Sequence, residues 1–258
     1  CYWVKVYDIP EGGRAAKGRA IVNLIGCEPD EKVSAFISVK EFNEDHYVVM
    51  ATEKGMVKKT KLSAYSNPRK KGIYAVEIRD GDKLIEARVS TGDNDILLGT
   101  RNGKSIRFSE EQIRASGRKT MGVKGITLSS EDDRLVGMLL IKREGTVLVA
   151  TEKGFGKRTE ISQYRAQKRG GKGVLTMKTT DKVGKMVTIK EVVDKDDLMI
   201  ITNQGVLIRL PVAQIRSIGR ATQGVKLIKL GEGTLVSSIT RIMSEEEEDE
   251  NNNTESTE

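Results

Sequence analysis

Val147-Leu148-Val149-Ala150-Thr151-Glu152-Lys153-Gly154 decides the fold, because the same pattern occurs four times. Val48-Val49-Met50-Ala51-Thr52 runs into Glu53-Lys54-Gly55, and Ile96-Leu97-Leu98-Gly99-Thr100 runs into Arg101-Asn102-Gly103. Leu198-Met199-Ile200-Ile201-Thr202 runs into Asn203-Gln204-Gly205. The turn glycines are 48, 51 and 51 residues apart. The runs are short and rich in Val, Ile, Leu and Thr, and each reads as a strand. The x-Gly turns, above all Asn102-Gly103, suit tight hairpins, since glycine accepts positive φ without steric cost.

A second mark keeps the same period. A basic, glycine-containing loop precedes a β-like run at Gly18, Gly72, Gly122, Gly173 and Gly224, with spacings of 54, 50, 51 and 51 residues. Some of these runs alternate, as in Ile73-Tyr74-Ala75-Val76-Glu77-Ile78. Segments 110–115 and 212–215 suit a helical turn or loop. A repeat of about 50 residues with four strands is the size of a propeller blade. The expected fold is all-β and propeller-like, with about five to six four-stranded blades whose faces and edges cover one another. The repeats fall at about 1–47, 48–95, 96–146, 147–197 and 198–243. The first lacks the run and turn that should precede Gly18, so the chain reads as a fragment starting inside a blade. The start at Cys1 rather than Met agrees with that.

Composition points to the partner. The 258 residues carry a net charge of +7, but residues 244–258 hold eight acids and no Lys or Arg. The remainder has 44 basic against 29 acidic residues, +15. A body this basic attracts polyanions, nucleic acid first and an anionic membrane surface second. The acidic tail is expected to be disordered. Two cysteines, Cys1 and Cys27, make no disulfide framework and suit a reducing cytosol. No apolar run approaches the roughly 20 residues that span a bilayer, and no signal peptide is visible.

The five loops carry the chemistry. They read Arg14-Ala15-Ala16-Lys17-Gly18, Pro68-Arg69-Lys70-Lys71-Gly72, Arg118-Lys119-Thr120-Met121-Gly122, Arg169-Gly170-Gly171-Lys172-Gly173 and Arg220-Ala221-Thr222-Gln223-Gly224. Four place Arg four residues before the glycine; the second shifts it by one. Repetition sets these cations, together with Arg19, Lys124 and Lys226, along a curved track. Arg forks onto phosphate oxygens and Lys supplies a point charge, while glycine lets main-chain N–H groups approach an anion. Nothing reads as a base-reading helix, so sequence-independent contact with double-stranded DNA is expected. Bending about 50 bp through half a turn costs on the order of 10 kcal/mol, more than one basic patch offsets.

The fourth loop, Gln167-Lys168-Arg169-Gly170-Gly171-Lys172-Gly173, resembles the gyrase box, Gln-(Arg/Lys)-Arg-Gly-Gly-(Arg/Lys)-Gly, at all seven positions. With the Arg-x-x-x-Gly loops and the acidic tail, the repeats resemble the C-terminal DNA-wrapping domain of DNA gyrase A over residues 1 to about 243. The segment from Lys5-Val6-Tyr7 to Gly18-Arg19-Ala20-Ile21-Val22-Asn23-Leu24 is similar to that family's second blade. The resemblance implies a six-bladed β-pinwheel, open or closed, with a strand exchanged between blades and DNA bent around a basic rim. It implies a non-catalytic domain without its own cofactor. Its partners would be the rest of gyrase A and gyrase B, whose other parts use ATP and Mg²⁺, in a bacterial cytoplasm. The family's box lies in the first blade, whereas the match here is in a later repeat. The corresponding protein of topoisomerase IV is the close alternative; the complete box favours gyrase.

Other signals are set aside. Gly99-Thr100-Arg101-Asn102-Gly103-Lys104-Ser105 is one residue short of a phosphate-binding loop and falls on a repeated hairpin turn. A single histidine, His46, read as a surface residue, excludes His-clustered metal sites and Ser-His-Asp chemistry. Asp132-Asp133 and Asp196-Asp197 lie in inter-strand turns, as ordinary loop carboxylates do. Tyr65 and Tyr164 are expected to pack between blades or edge the rim, and Trp3 to join the core; nothing resembles the strand-cleaving tyrosine motif. A protein-recognition propeller would need exposed apolar anchors on a face, and a hydrolase propeller would need clustered acids or histidines.

Overall fold

The computed structural model describes residues 1–12, 18–28, 31–67, 69 and 71–242. Arg14, Lys17, Lys70 and the acidic tail lie outside the described residues.

Four hairpins set the architecture, with strands numbered along the chain. β1 (Tyr47–Thr52) turns into β2 (Met56–Lys61), and β3 (Leu84–Ser90) returns to pair with the other side of β1. The unit recurs as β4 (Asp95–Thr100), β5 (Lys104–Ser109) and β7 (Leu135–Ile141), and as β8 (Thr146–Thr151), β9 (Phe155–Glu160) and β11 (Met186–Val192). It recurs last as β12 (Asp197–Thr202), β13 (Leu207–Pro211) and β15 (Val236–Ile242). Every one of these strand pairings is antiparallel.

A fourth strand comes from the next repeat. β6 (Val123–Lys124) pairs with β2, β10 (Val174–Leu175) with β5, and β14 (Val225–Lys226) with β9. Three sheets are therefore four-stranded, in the orders β3-β1-β2-β6, β7-β4-β5-β10 and β11-β8-β9-β14, and the last, β15-β12-β13, has three strands. A sheet is thus not coextensive with a sequence repeat. Strands β3, β7, β11 and β15 pack against one another in succession. The sheets stand side by side around a ring, propeller-fashion, with the exchanged strands at the perimeter. In the first repeat the described residues hold two 3-10 turns, Val6–Asp8 and Ile21–Asn23, and no strand. Cys1 takes the place of an exchange partner: its amino group donates to the Ile73 carbonyl at 2.9 Å and its carbonyl accepts from Ile73 N–H at 3.0 Å.

The apolar runs are explained by burial on both faces. In β4, Ile96 and Leu98 pack with Val49, Ala51 and Val57 of the first sheet, while Leu97 packs with Val147, Val149 and Ile189 of the third. In β8, Leu148 and Ala150 face Leu198 and Ile200 of the fourth. Each buried side chain contributes about 1.5–3 kcal/mol of transfer free energy. Tyr65 and Tyr164 are core residues, and half-buried Trp3 packs beside Phe42 against Val48 and Met50. His46 is half-buried rather than exposed, because it leads directly into the covered strand β1. The helical turns expected near 110–115 and 212–215 are 3-10 turns at Glu110–Gln112 and Val212–Gln214.

The four hairpin turns share one construction. The glycine N–H donates to the carbonyl of the buried Thr three residues earlier: Gly55 to Thr52, Gly103 to Thr100, Gly154 to Thr151 and Gly205 to Thr202, at 3.0–3.1 Å. Opposite each turn the inner strand bulges, which sharpens the local twist. Gly154 and Gly205 both have φ +77°, yet a Cβ on Gly154 would meet Ile228 Cγ1 at 2.9 Å and Ile228 O at 3.0 Å, whereas on Gly205 nothing lies within 4 Å. Gly205→Ala should cost about 1–2 kcal/mol for its backbone conformation alone. Gly154→Ala should cost at least about 1 kcal/mol more, because the segment following β14 must shift. Urea unfolding of the two variants checks this; equal losses would mean the exchanged segment does not hold its seat.

Candidate nucleic-acid interface

The loops that end at Gly122, Gly173 and Gly224 lie along the outer edge of the preceding sheet. Ser116, Gln167 and Ile218, at the start of three loops, donate their N–H groups to the carbonyls of Lys59, Arg107 and Arg158 at 2.8–2.9 Å. The loop then turns at a positive-φ glycine, as at Gly122 with φ +79°, and enters the exchanged strand. At Gly122 a Cβ would collide with the Val57 carbonyl, so the crossing needs glycine for space as well as for conformation.

Successive loops are tied to one another. Five residues past Gly72, Gly122 and Gly173, a backbone N–H donates to the next loop: Glu77 to Thr120 O at 3.1 Å, Thr127 to Gly171 O at 2.9 Å and Lys178 to Thr222 O at 2.9 Å. The repeated arginine adds a side-chain link. Arg118 Nη1 donates to Tyr74 O at 3.4 Å, Arg169 Nη1 to Lys124 O at 3.2 Å and Arg220 Nη1 to Leu175 O at 2.9 Å. Tyr74, Lys124 and Leu175 hold the same place, two residues past the previous loop glycine. These half-buried arginines act along the rim, loop to loop. The exposed predicted cations are Arg19, Arg69, Lys71, Lys119, Lys124, Lys168, Lys172 and Lys226.

The box-like segment is docked as a unit. Arg169 donates from its backbone N–H to Gln112 Oε1 and from Nε to Gln112 O, both at 2.9 Å. Gln112 Nε2 in turn donates to Gln167 O at 3.3 Å. Gly170 N–H donates to Gly125 O at 2.6 Å, and Thr127 Oγ1 donates to Gly170 O at 2.7 Å. Gly171 leaves room over Ile106, whose Cδ1 lies 3.4 Å from where a Cβ would stand. Lys168 and Lys172 are left exposed, and Gly173 turns the chain into β10.

Two lysines are buried beneath loops. Lys58 Nζ donates to Ala75 O at 2.7 Å and Arg118 O at 2.6 Å. Lys157 Nζ donates to Gly219 O at 2.6 Å, to Arg220 O and to Thr222 Oγ1 at 3.0 Å. Burial, reinforced by the neighbouring Arg118 or Arg220, pulls each ammonium down to about 8.

Sequence reasoning missed a further row. Arg114, Arg165 and Arg216 are exposed and lie eight residues before their loop glycines, 51 residues apart. The same period would have found them had the loop window been drawn wider. Lys178 and Lys229, five residues past the glycine, are exposed too. The segment resembling a phosphate loop is the β4–β5 hairpin, with Ser105 fully buried. Asp133 accepts Asn102 N–H at 2.9 Å, and Asp196 accepts Val193 N–H at 2.9 Å and pairs with Arg143 at 3.1 Å, so both carboxylates brace turns. Among the described residues no group of three or more His, Cys, Asp or Glu is placed to hold a metal ion, and no helix is long and apolar enough to cross a membrane.

Three loops of one construction, each with the outermost strand passed to the preceding sheet, narrow the family. Residues 1–40, 46–91, 94–142, 145–192 and 196–242 match the family described as DNA gyrase C-terminal domain, beta-propeller. The chain belongs to that family. It is 45% identical over 248 residues to DNA gyrase A of Staphylococcus epidermidis, covering 95% of this chain and 28% of that protein. It is 42% identical over 241 residues to DNA gyrase A of Salmonella typhimurium, covering 93% and 27%. The chain therefore spans little more than a quarter of these relatives. Among solved structures, the C-terminal domain of DNA topoisomerase IV superposes with a TM-score of 0.83 at 26% identity, covering 88% of this chain and 71% of that one. A DNA gyrase A C-terminal domain superposes with 0.79 at 22% identity, covering 88% and 76%, a likeness of fold.

The two buried lysines give this gyrase-family domain a pH signature. Their folded value of about 8 lies below the ordinary 10.5, so between those values the unfolded chain binds more protons and stability rises with pH. Below about pH 8 the cost of burying both charges is fully present. The stability of wild type relative to a Lys58→Ile/Lys157→Ile variant should therefore increase from pH 8 to about 10. Denaturant titrations at each pH test it; a constant difference would rule out the lowered values.

Proposed function

We propose that this chain binds duplex DNA along its outer rim and bends it without reading sequence. It is a non-catalytic domain of gyrase A, covering residues 1–243 and followed by an acidic tail at 244–258. In this reading it works with the rest of gyrase A and with gyrase B in the bacterial cytoplasm, supporting ATP-dependent negative supercoiling by the whole enzyme. The domain itself needs no cofactor; ATP and Mg²⁺ serve other parts of the parent.

The observation that carries the reading is the recurrence of exposed cations on one loop per sheet at the perimeter: Arg69 and Lys71, Lys119 and Lys124, Lys168 and Lys172, then Lys226. Neighbouring loops are fixed to each other, so their charges keep one spacing along an arc. Contacts of this kind fall on phosphates and carry no base information. About ten of them release enough counterions to offset a bend costing on the order of 10 kcal/mol. The family match and identities of 45% and 42% to gyrase A support the gyrase reading.

Incubating the chain with nicked plasmid, ligating and deproteinising should leave a shift in linking number. Charge reversal at Lys71, Lys119, Lys168 and Lys172 together should abolish it; an unaltered shift sinks the rim reading. Binding should weaken by about 10³–10⁵ between 50 and 200 mM salt. The tail's eight acids face a body of +15, so it should compete with DNA for the rim. Deleting residues 245–258 should then tighten binding at low salt, and unchanged affinity would remove the tail from the mechanism.

A further inference from the structure

Lys58 and Lys157 occupy one register position. Each directly follows the residue paired with the exchanged strand, Val57 with Val123 and Gly156 with Val225. In β5 that position is Ile106, and in β13 it is Ile208. The fold therefore accepts an isoleucine there, and filling space does not explain two fully buried ammonium groups. Burying them is costly unless each donates its hydrogen bonds.

The choice of residue tracks the loop above it. Over Lys58 and Lys157 the third loop position is Thr120 and Thr222, whose hydroxyls donate to Gly117 O at 2.9 Å and Gly219 O at 3.0 Å. Over Ile106 it is Gly171, and that loop is held from outside by Gln112 and Thr127. Each ammonium fixes the carbonyl of the arginine that reaches back to the previous loop, Arg118 or Arg220. Two loops are thus pinned from beneath by a charge, and the box-like loop between them is not.

We propose that Lys58 and Lys157 are positioning residues of the rim, an inference that rests on the DNA-binding reading above. Each ammonium turns loop carbonyls inward, leaves the flanking cations facing out, and adds positive potential beneath the loop surface. The charged group beside Lys58 is Arg118, with the Tyr65 phenol sharing the Ala75 carbonyl at 3.2 Å. Beside Lys157 it is Arg220, which lies 5.9 Å from the centre of the Tyr164 ring. Burial pushes both phenols up, so they stay neutral while the lysines titrate. A phosphate arriving on the loop favours the charged ammonium, so DNA binding and lysine protonation assist each other.

The test is DNA affinity and bending, at fixed salt, of the wild-type chain and of Lys58→Ile, Lys157→Ile and the double variant. The register equivalence with Ile106 predicts that the variants fold. At about pH 7 the double variant should bind about tenfold more weakly, the scale of a charge-assisted hydrogen bond. Between about pH 7 and 9.5 wild type should lose affinity that the double variant does not. A double variant that binds like wild type, with the same pH profile, overturns the proposal. In wild type alone, side-chain nitrogen NMR of the two lysines should show their titration moving to higher pH when a duplex is added; no movement overturns it even if a variant does not fold. A wild type that binds no DNA at any pH defeats the DNA reading itself, and the positioning role with it.

Discussion

The structure depends on a backbone pairing only two residues long. Val123 with Val57, Val174 with Ser105 and Val225 with Gly156 each carry one repeat onto the edge of the sheet before it. Such a strand has no independent stability. It holds because the next residues are anchored: Ile126 and Ile228 are buried against neighbouring sheets and donate backbone N–H groups to Gly55 O and Gly154 O. The exchange closes an edge that would otherwise expose unpaired N–H and C=O groups. It also obliges each basic loop to cross the perimeter on its way between sheets. The position of the charge is thus a consequence of how the edge is covered.

That crossing divides the cations into two kinds. Arg118, Arg169 and Arg220 are bonded to a carbonyl of the preceding repeat, while Lys119, Lys168 and Lys172 make no such bond among the described residues and are exposed. The division follows from side-chain chemistry. A planar guanidinium can bond several carbonyls at a fixed angle, whereas an ammonium on a flexible stem is strongly hydrated and favours an exposed position. Further cations sit in the strands themselves. Arg107 pairs with Asp95 at 2.6 Å and reaches the carbonyls of Ile161 and Tyr164 in the next repeat, so part of the positive charge holds sheets together.

Much of this was legible in the sequence. The period of the Thr-x-x-Gly turns and of the loop glycines pointed to the repeated blades, the antiparallel hairpins and the perimeter loops. What stayed hidden was the exchanged strand as a structural fact, since two residues such as Val123-Lys124 have no periodicity to detect; only the family resemblance anticipated it. The clamping role of the repeated arginines was hidden for a different reason. Their partners are backbone carbonyls of Tyr74, Lys124 and Leu175, and a carbonyl has no residue type to read. The buried lysines escaped because Lys in an alternating strand reads as solvent-facing, and Lys58 is covered only once loop 116–122 is laid over it.

A rim of like charges works against its own shape. Cations held on successive loops repel, and a set of loops free to move would spread them until the arc was lost. Here the links run along the line of repulsion: a backbone bond and an arginine bond join the second loop to the third, the third to the fourth and the fourth to the fifth, and a buried lysine holds two of them from below. Each tie is modest, about 0.5–1.5 kcal/mol for a neutral hydrogen bond and more when one partner is charged. Their number sets the arc before any polyanion arrives, so on the proposed reading a bound duplex would spend its counterion release on bending rather than on ordering loops. The box-like loop fits the same logic from the opposite side. With Gly170 and Gly171 it gives up side-chain contacts, lies directly over Ile106, and takes its rigidity from Gln112, Gly125 and Thr127 of the preceding repeat.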